Sequence, residues 1–219
     1  MPEAAPDAIR RPPAVILAGG RSTRMGRPKA AISLGGRPML THVVERLRTQ
    51  VAGIAINLNA DPGIRMPRDA IVLADTIPGF VGPLAGVLAA MRHGTEVAPE
   101  ASHVLTVPID TPFFPETLTD RLQGALAQAD QIAVAWSAGE MHPLFALWPV
   151  ALADELDTWI RTDAKRRVRA FIARHPSVAV DFPPIATKAG SLDPFFNINT
   201  PQQLEEAEEW LKRIEVAAS

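Results

Sequence analysis

The sequence predicts an α/β protein of three layers, with helices on both faces of a mostly parallel sheet. Two observations predict it. Short apolar runs of strand length, residues 14–17, 54–56, 70–73 and 103–107, alternate with segments whose apolar positions recur at helical spacing. Parallel strands cannot be joined by tight turns and need such crossovers. In sheets of this kind ligands sit beyond the carboxyl ends of the strands, so the residues that follow each apolar run are the first place to look for chemistry.

In chain order, residues 1–12 are rich in Pro and Ala and are expected to form a loose tail, leaving 13–219 as a single domain. After the run at 14–17 comes a basic loop, and residues 31–34 form a second short extended piece closed by Gly35 and Gly36. Pro38 suits the first turn of a helix whose stripe is Leu40, Val43, Val44 and Leu47. The run at 54–56 delivers Asn57 and Asn59 to its end, and the run at 70–73 delivers Asp75. A Pro/Gly loop at 76–83 feeds a small-residue helix carrying Leu84, Val87, Leu88 and Met91 on one face, with Gly94 as its expected stop. The strand at 103–107 delivers Asp110, and Pro115 opens a helix reaching about Gln128. Residues 131–136 and 143–148 read as an antiparallel pair around Gly139. Segments 151–161 and 166–174 are helical in pattern, and 177–181 is extended. Thr200-Pro201-Gln202-Gln203 is a capping box opening an acidic helix that ends near Ile214.

The richest stretch is LAGGRSTRMGRPK, residues 17–29, a strand that runs into Gly19-Gly20 and then a loop punctuated by Arg21, Arg24, Arg27 and Lys29. Glycines let a backbone approach an anion closely, their N–H groups donate, and the cations neutralise charge. No acidic residue lies between Asp7 and Glu45. The spacing is neither GxxxxGK[ST] nor GxGxxG, because the lysine comes nine positions after the second glycine and is followed by Ala30. A net charge of −2 disfavours nucleic acid as a partner. The chain has no cysteine, so disulfides and thiolate chemistry are excluded. The first residues lack the apolar run of a secretion signal, and no stretch approaches a membrane span, so the expected address is the cytoplasm.

Asp110, in VPIDTPF, follows an apolar strand and precedes a proline turn. It reads either as an Mg²⁺ ligand, since Mg²⁺ takes one or two carboxylates plus substrate phosphates, or as a turn residue. Asp75, before a Gly/Pro loop, can equally be ordinary turn chemistry, and the same holds for Asn57 and Asn59. Asn197 and Asn199, at i and i+2 in FFNINTP, would share one face. His142 and His175 lack metal-binding spacing, and Arg166, Arg167 and Arg169 form a second basic cluster. No Ser-His-Asp or Cys-His arrangement is evident. A polyanion cradle, a hard-metal carboxylate and flanking cations suit phosphoryl or nucleotidyl transfer.

LAGGRSTRMGRPK resembles the signature of nucleotidyltransferases with a Rossmann-like fold of the nucleotide-diphospho-sugar transferase type. VGPLAGVLAAM, VPIDTPFFP, MHPLFALW, KRRVRAFI and FFNINTPQQLEEAE look like successive motifs of one branch, the molybdenum cofactor guanylyltransferases. The resemblance implies transfer of GMP from GTP to the phosphate of molybdenum-molybdopterin, with pyrophosphate leaving. It implies that Leu17, Ala18 and Gly19, with Gly20 beside them, meet the nucleotide through their backbone. It further makes Lys29 the triphosphate ligand with Arg24 close by, Asn57 and Asp75 the base or ribose contacts, and Asp110 the holder of Mg²⁺. Asn197 and Asn199 fall near the reacting phosphates, and His142, Arg166 and Arg167 on the side of the molybdopterin phosphate. The partners implied are GTP and molybdenum-molybdopterin, with molybdoenzyme apoproteins or cofactor chaperones as recipients and a monomer as the working state.

One position departs from the branch: Pro28 stands where the family has Asp before the loop lysine, and RMGRPK looks more like the sister cytidylyltransferases, which use CTP. The LAGG and DTP motifs lie nearer the base and the metal and keep the guanylyl reading first. Another nucleotidyltransferase, of the sugar-phosphate type, is the further reading within enzymes, and a non-catalytic nucleotide-binding protein is the reading outside them.

Overall fold

Strand β1, Pro13–Leu17, is buried along its whole length, as an unbroken apolar run requires of a strand covered on both faces. Ala14 and Ile16 join one hydrophobic layer, and Val15 and Leu17 the other. The structure is a computed structural model that describes residues 11–19, 28–61, 63–64, 66, 70–77, 82–163, 165–187 and 190–218. Gly20, Arg21, Arg24 and Arg27 lie outside the described residues.

After β1, a 3₁₀ turn at Lys29–Ala31 leads into the two-residue strands β2, Ser33–Leu34, and β3, Arg37–Pro38. Helix α1, Met39–Arg48, strand β4, Gly53–Asn57, and strand β5, Ile71–Leu73, follow. Then come α2, Pro83–Val97, β6, His103–Pro108, α3, Leu118–Gly124, and the hairpin of β7, Ile132–Ser137, with β8, Glu140–Pro149. The chain finishes with α4, Ala153–Thr162, α5, Val168–Ile172, β9, Ser177–Asp181, the small hairpin β10, Ile185–Thr187, with β11, Gly190–Leu192, and α6, Pro201–Ala218.

Seven of the described strands form the central sheet in the order β5-β4-β1-β6-β8-β7-β9. Only β8 runs antiparallel to its neighbours within it. The other four pairings, β5 with β4, β4 with β1, β1 with β6 and β7 with β9, are parallel. The alternation seen in β1 repeats across the sheet. Leu105, Val107, Phe145 and Leu147 enter the layer of α1 and α3, while Val104, Ala146 and Trp148 enter that of α2, α4 and α5. Trp148 donates its indole N–H to Thr106 Oγ1, and Thr106 donates to the Leu144 carbonyl, so the buried polar atoms of this pair are matched.

Several elements differ from the sequence pattern. Gly94 does not end α2, which continues to Val97. A Cβ at Gly94 would stand 3.2 Å from Val104 and from Val150, so the glycine lets the helix lie close to β6. The expected helix at 115–128 contracts to α3, with Pro115 in the preceding turn. The β10–β11 hairpin has no counterpart in the sequence reading. With Ile32, Leu34, Phe113 and Ile198, it gives α6 a third, separate cluster to pack on. The cap of α6 is displaced by one residue. Thr200 Oγ1 accepts from the Gln203 N–H, but the Gln203 side-chain Oε1 accepts from the Asn199 N–H rather than that of Thr200.

Three histidines, 93, 103 and 142, are held below the ordinary imidazole value, in each case chiefly by burial. His103 donates from Nε2 to the Gln131 carbonyl and accepts at Nδ1 from Ser102, so its neutral form is fully bonded. A lowered folded-state value means that the unfolded chain binds more protons in acid. The stabilisation is therefore full above about pH 6.5 and is lost as pH falls through the lowered values. We expect the denaturation midpoint to drop between pH 7 and pH 5, and His103→Gln to flatten that slope.

Candidate active site

The chain turns one way from β1 to β4 and β5 and the other way to β6, so β1 is a topological switch point. Leu17 is in register with Asn57 on one side and Pro108 on the other. The Ala18 N–H still donates to the Asn57 carbonyl, and the Leu17 carbonyl still accepts from Ile109. The backbone leaves the sheet only after that. Beyond these ends lies a cavity of about 780 Å³. Of the residues expected from the sequence, Leu17, Ala18, Gly19, Lys29, Asn57, Asp75, Asp110, His142 and Asn197 line it.

At the β4–β5 side, Asp75 is gripped by two amides. Asn57 Nδ2 donates to Asp75 Oδ1 at 3.0 Å and to the Leu73 carbonyl, and Asn59 Nδ2 donates to Oδ2 at 2.7 Å. Asn59 Oδ1 in turn accepts from the Asp75 N–H at 2.9 Å. Asn57 is 3% exposed, so its bonds are sheltered from water. The Asn57–Asn59 pair shows the same i, i+2 spacing as Asn197–Asn199, which is the sequence signal for the role of Asn59. Gly86, in the first turn of α2, touches this group: a Cβ there would stand 2.7 Å from Asn57 Oδ1 and 2.9 Å from Leu17 Cδ2.

In the middle, Lys29 Nζ contacts Asp110 Oδ2 and Asn199 Oδ1. The Lys29 and Asp110 side chains are only 21% and 13% exposed, so each of these two charges depends on the other for compensation. Thr111 Oγ1 donates to the remaining Asp110 oxygen, and the Asp110 carbonyl accepts from the Ile198 N–H. Buried Ile198 thereby carries Asn197 and Asn199 to the cavity edge, although the segment forms no strand. Pro28 fits its place. Its φ of −55° suits the start of the 3₁₀ turn, and its carbonyl accepts from Ala31, so the turn that presents Lys29 requires no N–H at residue 28.

Asp110 offers a single carboxylate. Among the described residues no group of three or more His, Asp or Glu side chains could hold an ion. This donor set fits a hard cation that takes its remaining ligands from phosphates and water.

At the β8 side, the His142 ring stacks on Phe195 with centroids 4.5 Å apart. Arg166 and Arg167 are not brought to the cavity lining. Helix α5 begins only at Val168, so both precede it. Arg166 closes the end of α4, with its N–H on Asp163 and its Nε on the Ile160 carbonyl. The third arginine of that run, Arg169, donates to the carbonyl of Met141 on the cavity wall. Sequence reasoning also missed Asp193, which lines the cavity from the segment after β11. Nothing local marks it.

The lysine–carboxylate pair at the switch point, with neutral amides beside it, suits nucleotidyl transfer, and the chain's relatives belong to that class of protein. Residues 14–179 match the MobA-like NTP transferase domain. The chain is 73% identical over 208 residues to a molybdenum cofactor guanylyltransferase of Sinorhizobium fredii, covering 95% of each chain. It is 67% identical over 211 residues to that of Rhizobium meliloti, covering 96% of this chain and 97% of the relative. The crystal structure of molybdopterin-guanine dinucleotide biosynthesis protein A from Archaeoglobus fulgidus superposes with a TM-score of 0.69 at 25% identity, over 91% of this chain and 98% of that one. The chain belongs to the molybdenum cofactor guanylyltransferase family.

Gly86→Ala should be destabilising although alanine is the better helix former. Overpacking against Asn57 and Leu17 costs about 1–3 kcal/mol, against roughly 0.8–1 kcal/mol gained in helix propensity. A lowered denaturant midpoint, with the Asn57 side-chain amide resonances shifted, is the expected result.

Proposed function

We propose that the chain transfers GMP from GTP to the terminal phosphate of molybdenum-molybdopterin, releasing pyrophosphate and forming the guanine dinucleotide cofactor. The observation that carries this reading is the pairing of Lys29 with Asp110 in a cavity whose neighbouring wall, at Asn57, Asn59 and Asp75, is built to accept N–H donors. The same reading is supported by the name of a relative at 73% identity.

GTP places its guanine at Asp75. A carboxylate with both oxygens oriented by neutral amides accepts the adjacent N1–H and N2–H donors of guanine. Cytosine presents one donor beside an acceptor and would leave a carboxylate oxygen facing a lone pair. This favours GTP over CTP despite Pro28. Leu17, Ala18 and Gly19 form the floor under the base, with Gly20 following. Lys29 binds the triphosphate, and Arg24 adds its charge from the same loop. The acceptor phosphate is already an anion and attacks the α-phosphorus in line, so no general base is required. Lys29 offsets the charge that accumulates as pyrophosphate leaves, and Asn197 and Asn199 orient the reacting phosphates. Asp110 would hold Mg²⁺, which would supply Lewis-acid stabilisation of phosphate charge. The acceptor occupies the β8 side, with His142 as its contact and Arg166 and Arg167 at more distant positions. The reaction is assigned to a monomer in the cytoplasm, with apoproteins or cofactor chaperones taking the product.

The test is single-turnover pyrophosphate release with molybdopterin acceptor and Mg²⁺, comparing GTP with CTP. Release with GTP alone is expected, and Asp110→Asn should slow it by about 10²–10³-fold. Release with CTP alone would reverse the base assignment. Tight GTP binding without release from either nucleotide would make the protein a nucleotide-binding module.

A further inference from the structure

The β8 side of the cavity contains a hydrogen-bonded chain of three residues from separate elements. Ser137, at the end of β7 and buried, has its Oγ 2.8 Å from Asp193 Oδ1 and 2.7 Å from His142 Nε2. A carboxylate has only acceptors, so the serine hydroxyl donates to Asp193 and keeps its lone pairs for the histidine. His142 must therefore donate from Nε2. Asp193 Oδ1 also accepts from the Phe195 N–H at 2.9 Å, which fixes the far end of the chain. Phe195 then stacks on the imidazole and fixes its plane. A serine that donates to the acid and accepts from the histidine is not activated, so the trio is not a nucleophilic triad.

The polarity of this chain decides what His142 can recognise. A neutral ring with its proton on Nε2 carries a lone pair on Nδ1, and among the described residues Nδ1 has no hydrogen-bond partner. Burial and the charge of Arg169 favour the neutral ring, against the pull of Asp193 and Glu140. An exposed imidazole lone pair repels a phosphate oxygen and attracts an N–H.

We infer that His142, held as the Nε2–H tautomer by Ser137 and Asp193, accepts a hydrogen bond at Nδ1 from an N–H of the acceptor's pterin ring. This side of the cavity then reads the heterocycle and not its phosphate. The inference rests on the acceptor assignment made above. Ser137 and Asp193 are positioning residues in it, and Phe195 is the platform for the ring.

Two measurements test it. In ligand-free protein carrying ¹⁵N-labelled histidine, His142 is expected to show the neutral Nε2–H pattern at pH 7, and Ser137→Ala is expected to turn that into a tautomer mixture. A charged ring or an Nδ1–H ring would overturn the proposal. Binding is then measured with GTP, with inorganic phosphate and with a tetrahydropterin lacking the side-chain phosphate. His142→Ala should weaken the pterin about tenfold, and Ser137→Ala several-fold, with GTP and phosphate unchanged. His142→Asn, whose amide oxygen can stand in for Nδ1, should restore most of the loss. Unchanged GTP affinity reports that each variant is folded. Wild-type protein that binds the pterin, with His142→Ala binding it equally well or losing phosphate instead, overturns this inference alone. Wild-type protein that binds GTP but no pterin overturns the acceptor assignment and the inference together.

Discussion

Everything at the site follows from the chain parting on either side of β1. A parallel strand with a neighbour reached in each direction leaves a gap beyond its carboxyl end, because the two connections that follow move apart. Here Leu17 stands between Asn57 and Pro108, and the last sheet bonds, from Ala18 to Asn57 and from Ile109 to Leu17, hold those three ends level. The polar residues that come next in each segment have little choice of position. Gly19 passes over the two asparagines, Asp75 is drawn to them, and Asp110 reaches the gap from β6. Two well-packed apolar layers make that geometry rigid, because each sheet strand places alternate side chains into both.

The electrostatics of the gap depend on residues that the sheet alone does not supply. Asp110 is largely shielded from water, and an unpaired carboxylate there would carry a heavy desolvation penalty. Lys29 relieves it from 81 residues away in sequence, and Asn199 holds the lysine from the other side. That arrangement requires the segment before α6 to be fixed, which the Asp110 carbonyl does by accepting from Ile198. The third hydrophobic cluster, around β2, β11 and α6, is what holds this segment in place. The helix that closes the chain is thus part of the site's support although it contributes nothing to the central sheet.

The sequence made legible whatever is set by local pattern. Continuous apolar runs identified β1, β4 and β6, and the rule that ligands gather at their ends picked out Asn57, Asp75 and Asp110 without any tertiary information. The β7–β8 hairpin was legible from its turn, where Ala138 and Gly139 both take the left-handed conformation that a two-residue loop needs. Illegible were the features decided by distant contacts. Gly94 reads as a helix stop, yet it is a point of close approach to Val104. The family resemblance put Arg166 and Arg167 beside the acceptor phosphate, but the start of α5 at Val168 leaves both outside the lining. Ser137 and Asp193 carry no signal at all, since their partnership spans 56 residues and exists only once β7 and the segment after β11 have met. Gly20 and Arg24, which belong to the most recognisable stretch of the sequence, lie outside the described residues.

The aspartates Asp75, Asp110 and Asp193 of the cavity lining are treated differently, and the difference follows strand order. Asp75, beside β4 and β5, is held by two neutral amides. Asp193, on the β8 side, is held by a hydroxyl and a backbone N–H. Asp110, at the end of β6 between them, is paired with a cation. A reaction that joins two phosphate-bearing molecules must bring their phosphates together and keep their ring systems apart. Charge pairing is useful where phosphates meet, because both the ground state and the leaving pyrophosphate are anionic there. It would be a liability at the outer positions, where a mobile cation would draw a phosphate into the place of a ring. Neutral donors avoid that error while keeping each outer carboxylate oriented. Under the proposed reaction, the order neutral, charged, neutral across β5 to β8 would set the direction in which two such substrates lie, before either makes its own specific contacts.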